Sequence, residues 1–564
     1  MENILVVDCK STGTNFIEDI YNRGYNPIVL ELKPGNQNVE TYKQLMKSNY
    51  DRIDYDFELF YEKDTYEETL DMIRQLHPVV VVPGSEQGVV LATKLANDLD
   101  LSCNSIDNLD AMTKKDKMHE RLAERGLRHI RGKVVSSVED AVEFYDANSL
   151  EEVVIKPVRG ASSVGVRICL NKQEMIDHLT DQFDKTNSYG DENEVLLVQE
   201  RINGEEYIVN TVSCDGIHRI TLIWKYEKVR NSEGAILYDM VKTVNDLNIG
   251  EAELAEYAYD VVDAIGIKYG PVHGEYMVDK NGPVLIEVNC RPCGANMSCE
   301  FLDKISGQHE TDSILDAYLN PFNFHEKRKK PYNLSATGAL KIFIVPEDIW
   351  AKSAPINNIS PKLQSYYDTT LQDIEDMKHF VMTEDLKTSC GYIYLVHEDE
   401  NIVDRDIDFL RSVERNVFDL ILNADADENY ELDELGLVKN LQNALSIGLN
   451  YGNGILITDQ FLDGINMLQV GLEDIKNVNG KFDFVVVNLN KSFIEKNSLI
   501  TVDIVFDILS FIKVNGYVFI PKTTYDFIPG GRKGIEALIK SLNLKIVVPP
   551  YRMKNVVIAS KTNI

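Results

Sequence analysis

The first hundred residues alternate short apolar runs with longer stretches that carry apolar residues at helical spacing. The apolar runs are NILVVD, NPIVLEL and PVVVVPG, and continuous runs of this length are typical of parallel strands covered on both faces. The pattern therefore predicts a small open α/β domain over residues 1–108. In such a sheet the functional loops lie at the carboxyl ends of the strands. Here those ends carry Asp8, Ser11, Thr12 and Gly13, and then residues 83–86.

The pattern changes several times beyond this domain. Residues 109–190 begin with a charged helix around TKKDKMHERLAERG, residues 191–330 are mainly strands with a helix near 251–265, and residues 331–415 are a mixed continuation. The run NADADENYELDELG at 423–436 is acidic, which is typical of a solvated linker or a helix entry. After it, residues 437–564 form a separate α/β unit whose strands are GILITDQ, FDFVVVNLN, GYVFIPK, LKIVVPP and NVVIASK.

Composition narrows the classes of function. The chain has 564 residues, 44% of them hydrophobic, which is enough for three or four packed units of roughly 150 residues each. Its formal net charge of −32 repels phosphate backbones, so we expect neither a nucleic-acid partner nor an anionic membrane. A local basic pocket for a small anion such as ATP remains compatible with this charge.

We expect a cytoplasmic protein with reduced thiols. The opening MENILVVD resembles a buried strand more than the charged start of a secretory signal. No apolar run approaches the roughly 20 residues that a spanning helix needs. Cys290, Cys293 and Cys299 raise the question of a zinc site, but no second Cys or His pair follows at ligand spacing, which favours free thiols.

The first segment that carries chemistry is EEVVIKPVRGASSVGVRICL at 151–170. A buried strand delivers Lys156 at its end, a loop of glycines and serines follows, and a second strand returns. Such a loop lets backbone N–H groups approach a polyphosphate closely, with Lys156 and Arg159 as countercharge. The helix and the GxxxxGK[ST] pattern of a P-loop are absent. An ordinary flexible hairpin with a solvated lysine is the alternative interpretation.

A second segment, VHGEYMVDKNGPVLIEVNCRPCG at 272–294, predicts a β-hairpin around Asn-Gly. A three-residue loop over 280–282 would pair residues whose numbers sum to 562. Glu275 then faces Glu287, and His273 faces Asn289. All four lie on one face of the sheet, because strand side chains alternate with a period of two. A two-residue loop would instead shift the register by one and separate the glutamates.

Two carboxylates that face each other across a sheet destabilise it unless a cation lies between them. Two glutamates and an asparagine amide are hard oxygen ligands, which suit Mg²⁺ bound together with the phosphates of a nucleotide. Arg291 follows at the strand end, where a guanidinium can hold a transferred phosphate. The alternative is a surface hairpin whose glutamates are held apart by solvent.

The four motifs together resemble the ATP-grasp superfamily. They are a helix that carries a lysine, a Lys-Pro strand with a Gly/Ser loop, a Gln-Glu strand end with Gly-x-Glu, and Glu…Glu-x-Asn-x-Arg. The resemblance covers roughly residues 1–415, and PVHGEY…LIEVNCRPCG is most similar to the L-amino acid ligases, which are carboxylate–amine ligases. It implies an α/β fold with a pre-ATP-grasp Rossmann-like domain at 1–108, a small lobe at 109–190 and a large lobe with the metal site at 191–415.

The resemblance also implies a role for each matching position. For ATP and its phosphates, the implied residues are Lys117, Lys156, Gly160, Ser162, Ser163, Gly165, Gln199, Glu200, Ile202 and Glu206. Gln199, Glu200 and Ile202 would hold adenine, with Glu200 accepting from its amino group, and Glu206 would hold the ribose, with Glu205 as a competing candidate. Lys117 is alternatively a solvated helix lysine, since Lys114 and Lys115 stand nearby.

The same resemblance assigns the metal and substrate ends of the site. Glu275, Glu287 and Asn289 would bind Mg²⁺, as two ions, with Mn²⁺ as an alternative. Lys156 and Arg291 would be catalytic, and His273, Glu86 and Arg291 would contact the substrate. For His273 a purely structural place in the strand is an equal alternative.

The implied reaction is the ATP-dependent joining of a small carboxylate to an amine through an acyl phosphate, with amino acids as the expected substrates. Two other hypotheses stay open: an ATP-grasp enzyme with another acceptor, and a nucleotide-binding regulatory protein without turnover. Residues 437–564 weakly resemble the second half of a Rossmann-like methyltransferase, but no glycine-rich cofactor loop is recognisable. A degenerate domain is therefore favoured over an active S-adenosylmethionine-dependent enzyme. The oligomeric state, a homodimer included, is open.

Overall fold

The computed structural model describes residues 1–33, 50, 53–158, 166–183, 195–230, 236–345, 349–351, 360, 363–370, 378–384, 386, 388–408 and 410–411, and six strands beyond residue 453. The chain divides into two compact units. The first comprises residues 1–228, 240–338 and 385–387, and the second comprises residues 229–239, 339–384 and 388–564. Among the described residues, no helix is both long enough and apolar enough to cross a bilayer.

The first unit opens with the parallel sheet that the apolar runs predict. Its strands are β1 (Asn3–Val7), β2 (Asn26–Glu31), β3 (Glu58–Tyr61) and β4 (Pro78–Pro83), in the order β3-β2-β1-β4. Helix α1 (Asn15–Asn22) connects β1 to β2, α2 (Tyr66–Leu76) connects β3 to β4, and α3 (Gly88–Asp98) follows β4. At the carboxyl edge the loops touch so closely that a Cβ on Gly13 would lie 2.1 Å from the Gly84 carbonyl oxygen. Glycine is therefore required there.

A four-stranded antiparallel sheet follows, in the order β5-β8-β6-β7. Its strands are β5 (Gly132–Val135), β6 (Val153–Pro157), β7 (Arg167–Cys169) and β8 (Leu196–Glu200). Helices α4 (Leu109–Thr113) and α5 (Lys115–Glu124) precede this sheet, and α6 (Val138–Ala147) and α7 (Lys172–Gln182) pack on it. The strand β6 carries Lys156 next to its end, as the sequence predicts.

The larger sheet of the first unit has the order β13-β12-β9-β10-β11. Its strands are β9 (Glu205–Cys214), β10 (Ile217–Arg230), β11 (Ile236–Thr243), β12 (Gly270–Asp279) and β13 (Gly282–Asn289). Helix α8 (Ile249–Ile265) starts at the side-chain cap of Asn248 and ends at Gly266, whose φ of +86° closes it. Its apolar face packs on Tyr276, Leu285 and Val288, which leaves the opposite sheet face for the polar residues.

Three helices complete the first unit: α9 (Cys299–Ser306), α10 (Glu310–Leu319) and α11 (Pro321–Arg328). They follow the loop that carries Arg291. Arg23 near the end of α1 pairs with Asp316 of α10 at 2.9 Å, and His309 bonds Asp19 of α1 at 2.8 Å. The N-terminal α/β layer and the segment after Arg291 are therefore joined by buried polar contacts.

In the second unit, β14 (Thr337–Ile342), β18 (Tyr392–His397) and β16 (Tyr366–Thr369) are neighbours in that order. Strands β15 (Ile349–Ala351) and β17 (Lys378–Phe380) form an antiparallel pair. The carboxylate of Asp239 is buried between Lys341 at 2.8 Å and Arg411 at 2.6 Å. Two cations therefore neutralise one buried anion in this unit.

The C-terminal part of the second unit contains a six-stranded sheet in the order β20-β19-β21-β22-β24-β23. Its strands are β19 (Gly454–Thr458), β20 (Leu468–Val470), β21 (Phe482–Asn488), β22 (Ile512–Pro521), β23 (Lys545–Val547) and β24 (Val556–Ser560). The first four are parallel and β24 is antiparallel to both neighbours. The predicted strands are therefore present. The acidic run at 423–436 lies outside the described residues.

Candidate active site

The two predicted carboxylates face each other on adjacent strands. In the β12–β13 pair, Glu275 lies opposite Glu287, and His273 lies opposite Asn289. Because directly opposed side chains share a sheet face, all four project to the side away from the α8 core. This pairing confirms the predicted register at the four candidate residues.

The connection between these strands differs from the prediction. It has two residues, Lys280 and Asn281, rather than three, and Gly282 begins β13 with φ of +96°. A two-residue loop alone would have placed the glutamates on opposite faces. The register shifts by one residue between Glu275 and Tyr276 and leaves Ile286 as a bulge, which returns Glu287 to the face of Glu275.

The acidic pair is partly buried, with side chains 24% and 14% exposed, and carries opposed pKa shifts. Burial, together with the negative charge of Glu287, raises the pKa of Glu275 to about 7. Burial acts in the same direction on Glu287, but Lys115 and Lys156 outweigh it and lower the pKa of that carboxyl to about 2. The facing carboxylates therefore favour a further cation between them.

The helix lysine that reaches the acidic pair is Lys115. Its Nζ lies 2.8 Å from Glu287, and its side chain is only 12% exposed. The structure does not bring Lys117 to the pair, because that side chain points outward and bonds Glu120 at 2.7 Å on the same helix. Two residues along a helix correspond to a rotation of about 200°, which is why neighbouring lysines have such different surroundings.

Lys156 is buried at the end of β6 in the same charge cluster. Burial lowers its pKa to about 8, with Lys115 acting in the same direction and Glu287, Glu275 and Glu206 opposing. The side chain is thus close enough to sense acids from three strands of the larger sheet. The predicted phosphate loop, with Gly160, Ser162, Ser163 and Gly165, lies outside the described residues.

Arg291 and Glu86 meet on the other side of the pair. The Nε of Arg291 lies 3.8 Å from an oxygen of Glu86, which makes this a loose ion pair across the loops after β13 and β4. Burial raises the pKa of Glu86 to about 7, and the positive charges of Arg291 and Lys115 oppose the shift. Glu86 is therefore part of the same electrostatic cluster as the two metal candidates.

His273 is fixed by a neighbouring strand. Its Nδ1 lies 2.9 Å from the amide oxygen of Asn210 on β9, and its Nε2 lies 3.5 Å from Glu275. Burial, followed by the charge of Arg291, lowers the pKa of His273 well below its usual value. The neutral ring donates from Nδ1 to Asn210, and its Nε2 lone pair faces the acidic pair.

The two candidates for the ribose-binding acid, Glu205 and Glu206, lie on opposite faces of β9, because strand side chains alternate. Glu206 is buried, forms an ion pair with Lys228 and contributes to the field at Lys156. Glu205 points to the other face, where it is 61% exposed and pairs with Lys225 at 2.6 Å. The structure thus brings Glu206, and not Glu205, to the acidic cluster.

At the end of β8 the side chain of Glu200 is already engaged. Its oxygens accept from the backbone N–H of Arg131 at 2.9 Å and from the guanidinium at 2.6 and 2.8 Å. The Glu200 carboxylate, which the resemblance assigned to the adenine amino group, is therefore already paired with Arg131. Gln199 is buried, and its Nε2 has no partner within the described part of the chain. Ile202 lies half-buried in the following connection.

Tyr226 on β10 is a site residue that the sequence pattern did not indicate. It directly follows Lys225, which pairs with Tyr207 of β9, and burial, together with the charges of Glu275 and Glu206, raises the pKa of Tyr226 well above the usual range. The run ITLIWKYEKV does alternate in part, so the strand was recognisable. The sequence of β10 alone does not show which of its faces lies beside Glu206 and Glu275, because that depends on its pairing with β9.

The three clustered cysteines are buried as free thiols. Within the described ranges, Asp19, Cys299 and His309 form a group whose ligand atoms lie within 4.8 Å of one another. However, His309 bonds Asp19 from Nε2 and Asp303 from Nδ1, both at 2.8 Å. Against the effect of burial, hydrogen bonds to both carboxylates raise the pKa of His309, so an imidazolium already supplies a cation to this cluster.

Comparison with known proteins finds a family match for the segment that carries the two facing glutamates. Residues 150–300 match the family model described as ATP-grasp domain. Dapdiamide A synthase of Enterobacter agglomerans is 25% identical over 364 residues, which is 62% of this chain and 83% of that protein. The carbamoyl phosphate synthase large chain of Clostridium botulinum (strain Alaska E43 / Type E3) is 24% identical over 50% of this chain, but only 26% of that protein is covered.

Solved structures agree on the fold. An L-amino acid ligase from Bacillus licheniformis aligns with a TM-score of 0.54 at 16% identity and covers 72% of this chain and 97% of its own. The carboxyaminoimidazole ribonucleotide synthase from Aspergillus clavatus complexed with ATP aligns with a TM-score of 0.51 at 13% identity, over 74% of this chain and 99% of its own. None of these four similarities supports a methyltransferase in residues 437–564.

Proposed function

We propose that this chain, whose residues 150–300 form an ATP-grasp domain, is an ATP-dependent carboxylate–amine ligase that makes an amide bond through an acyl phosphate. The similarity to dapdiamide A synthase spans 83% of that protein, so it extends well beyond the shared nucleotide-binding domain. The similarity in fold to an L-amino acid ligase supports amino acids as substrates. The site residues provide the chemical argument.

The observation that carries the proposal is the partly buried pair of facing carboxylates, Glu275 and Glu287, with Asn289 on the same face. Three hard oxygen donors around a space that favours positive charge fit Mg²⁺. Burial and mutual repulsion hold the pKa of Glu275 at about 7, so a divalent cation would relieve the repulsion. When bound, Mg²⁺ would neutralise charge on the ATP phosphates and align them.

The lysines and the arginine would position the phosphates. Lys115 bonds Glu287 and the charge of Lys156 acts on the same carboxyl, so both cations would be available to phosphoryl oxygens bound beside the carboxylates. Arg291 lies beyond the pair, beside Glu86, where it can neutralise charge on the group being transferred. Phosphoryl transfer depends mainly on such positioning and charge neutralisation, so the protein needs no nucleophile of its own.

The nucleoside end would be held by the segment between β8 and β9. The Glu200 carbonyl and the Ile202 N–H would bind adenine, and Glu206 would exchange its ion pair with Lys228 for hydrogen bonds to the ribose hydroxyls. The loop at 160–165 would cover the phosphates and exclude the water that hydrolyses an acyl phosphate.

The substrate end would lie between Glu86, His273 and Arg291. A substrate carboxylate would lie against Arg291, and its oxygen would attack the γ-phosphorus while the bond to the β–γ bridging oxygen breaks and ADP leaves. The neutral amine would then attack the acyl carbon, the C–O bond to phosphate would break, and the amine proton would leave with the released phosphate. Glu86 can accept hydrogen bonds from an ammonium group, and the Nε2 of His273 is oriented by Asn210 for the same purpose.

The remaining assignments belong to the same proposal. Residues 1–108, 109–190 and 191–415 would be the preceding domain and the two lobes of the ATP-grasp fold. Two Mg²⁺ ions would bind, Mn²⁺ would substitute, and the protein would be cytoplasmic. Residues 437–564 would serve assembly or substrate capture, and a homodimer is the arrangement we propose for that assembly.

The test is phosphate release with pairs of amino acids, followed by mass measurement of the product. Purified protein with ATP and Mg²⁺ should release phosphate only when a carboxylate is present, and a productive pair should give a product 18 mass units lighter than its sum, which is the loss of water. Glu287→Gln should abolish release by about 10²-fold or more, and Glu205→Gln should not. Amino-acid-independent release, or release by Glu287→Gln at the wild-type rate, would contradict the proposal.

A further inference from the structure

The loop between Arg291 and α9 contains a tight turn of unusual conformation. Its four residues are 294–297, and the two central ones, Ala295 and Asn296, have φ of +68° and +52°. Two central residues with positive φ are the mark of a type I′ turn. Asparagine tolerates this region, but the Cβ of alanine crowds the backbone there. This turn therefore needs an external support.

Thr12 supplies that support from the N-terminal domain. Its hydroxyl donates to the carbonyl of Gly294 at 2.9 Å and accepts from the N–H of Met297 at 3.1 Å. Gly294 and Met297 are the first and last residues of the turn. Thr12 is buried, with 1% of the residue exposed, and its hydroxyl bridges the two ends of the turn.

Two neighbours extend the contact. The N–H of Asn296 donates to the hydroxyl of Ser11 at 3.0 Å, and the amide of Asn15 donates to the carbonyl of Met297 at 2.9 Å. Ser11 is itself in the left-handed region, with φ of +52°. We call the three side chains of Ser11, Thr12 and Asn15 the turn clamp.

The turn clamp is continuous with the substrate end of the site. The clamp follows β1 and packs through Gly13 against Gly84, two residues before Glu86. The turn that it holds begins three residues after Arg291, the partner of Glu86 at 3.8 Å. One corner of the N-terminal domain therefore supports both members of the Arg291–Glu86 pair.

We propose that the turn clamp is a positioning device. Thr12 in particular holds the 294–297 turn in its left-handed form, and this keeps Arg291 beside Glu86 until the amine attacks the acyl phosphate. The catalytic consequence rests on the proposed ligase function, whereas the structural role of the clamp does not. A loosened turn would let Arg291 move and admit water, so ATP would be consumed without amide formation.

The central variant is Thr12→Val, which keeps the shape and removes both hydrogen bonds. Thr12→Ser restores the hydroxyl. The matched control is Thr93→Val, because Thr93 is another buried threonine of the same domain, and among the described residues its hydroxyl bonds only Val89 within α3, at 2.8 Å. The fourth protein is the double variant Thr12→Val with Ala295→Gly, because glycine adopts positive φ without support.

Amide hydrogen exchange measures the clamp directly. In Thr12→Val, the amides of Asn296 and Met297 should exchange about tenfold faster or more, since their acceptor is lost or displaced. Thr12→Ser and Thr93→Val should exchange as the wild type does. Unchanged exchange in Thr12→Val, or equal acceleration in Thr93→Val, would overturn the structural part of the inference.

The ratio of ADP to amide measures the consequence. Thr12→Val should form about fivefold more ADP per amide, with the KM for ATP within about twofold of wild type, because the nucleotide end is untouched. The double variant should recover most of the coupling. A fully coupled Thr12→Val enzyme, or no recovery in the double variant, would overturn the positioning role. A wild-type enzyme that forms no amide would instead contradict the proposed function, and the exchange experiment would still decide the clamp.

Discussion

Lys115 and Glu287 are joined by an ion pair of 2.8 Å across the first turn of α5 and the end of β13, with both side chains almost buried. Removing either charge would leave the other in a poorly hydrated place, which is costly. The pair also places a lysine directly beside the proposed metal carboxylates. Helix α5 therefore contributes its first residue, Lys115, to the site.

The first prediction compares the two lysines of this helix. Lys115→Met should lower kcat/KM for ATP by about 10²- to 10³-fold, the usual cost of losing one charge-stabilising donor. Lys117→Met should stay within about twofold, because Lys117 makes an exposed pair with Glu120. Steady-state kinetics at saturating amino acids provide the measurement. Equal effects of the two substitutions would contradict the assignment of Lys115, rather than Lys117, as the lysine that acts in the site.

The second prediction separates the two adjacent acids of β9. Glu206→Gln should raise the KM for ATP by about tenfold, because hydrogen bonds to a buried charge contribute about 1.5–3 kcal/mol. Glu205→Gln should change it by less than about twofold, since Glu205 is exposed and pairs with Lys225 on the other face. Deoxy-ATP should narrow the gap between Glu206→Gln and wild type. A larger effect from Glu205→Gln would reverse the assignment.

The third prediction concerns pH. Burial lowers the pKa of Lys156 to about 8, so the side chain is charged below pH 8 and loses its charge above it. A triphosphate prefers the charged form, so ATP affinity should fall above pH 8 by up to about tenfold per pH unit. Calorimetric titration of ATP from pH 6.5 to 9.5 measures this dependence. Lys156→Met should bind weakly with no such fall, and parallel profiles for the two proteins would contradict the assignment.

The sequence predicted the acidic pair through local rules that apply within one hairpin. Alternation along each strand and the turn signal Asn-Gly placed Glu275 opposite Glu287, and that pairing is present. The route to it was partly wrong, because the loop is shorter and Ile286 bulges. A bulge arises from packing on both sides of a strand, which the residues of the hairpin alone do not encode.

Assignments that depend on contacts between elements distant in the sequence were harder to predict from the sequence. The pattern of α5 shows several lysines but not which one turns toward β13, so Lys117 was assigned where Lys115 makes the contact. Tyr226 was missed for the same reason, since its neighbours come from β9 and β12. The clamp between Thr12 and the 294–297 turn joins residues more than 280 positions apart, and no local pattern indicates it.

The most direct test of the central claim follows an oxygen atom. If ATP activates the carboxylate as an acyl phosphate, a substrate labelled with ¹⁸O in its carboxyl group transfers one labelled oxygen to the phosphate released during amide formation. Mass spectrometry of the phosphate should therefore show a shift of two mass units in proportion to product. Unlabelled phosphate formed alongside a genuine amide product would contradict the account.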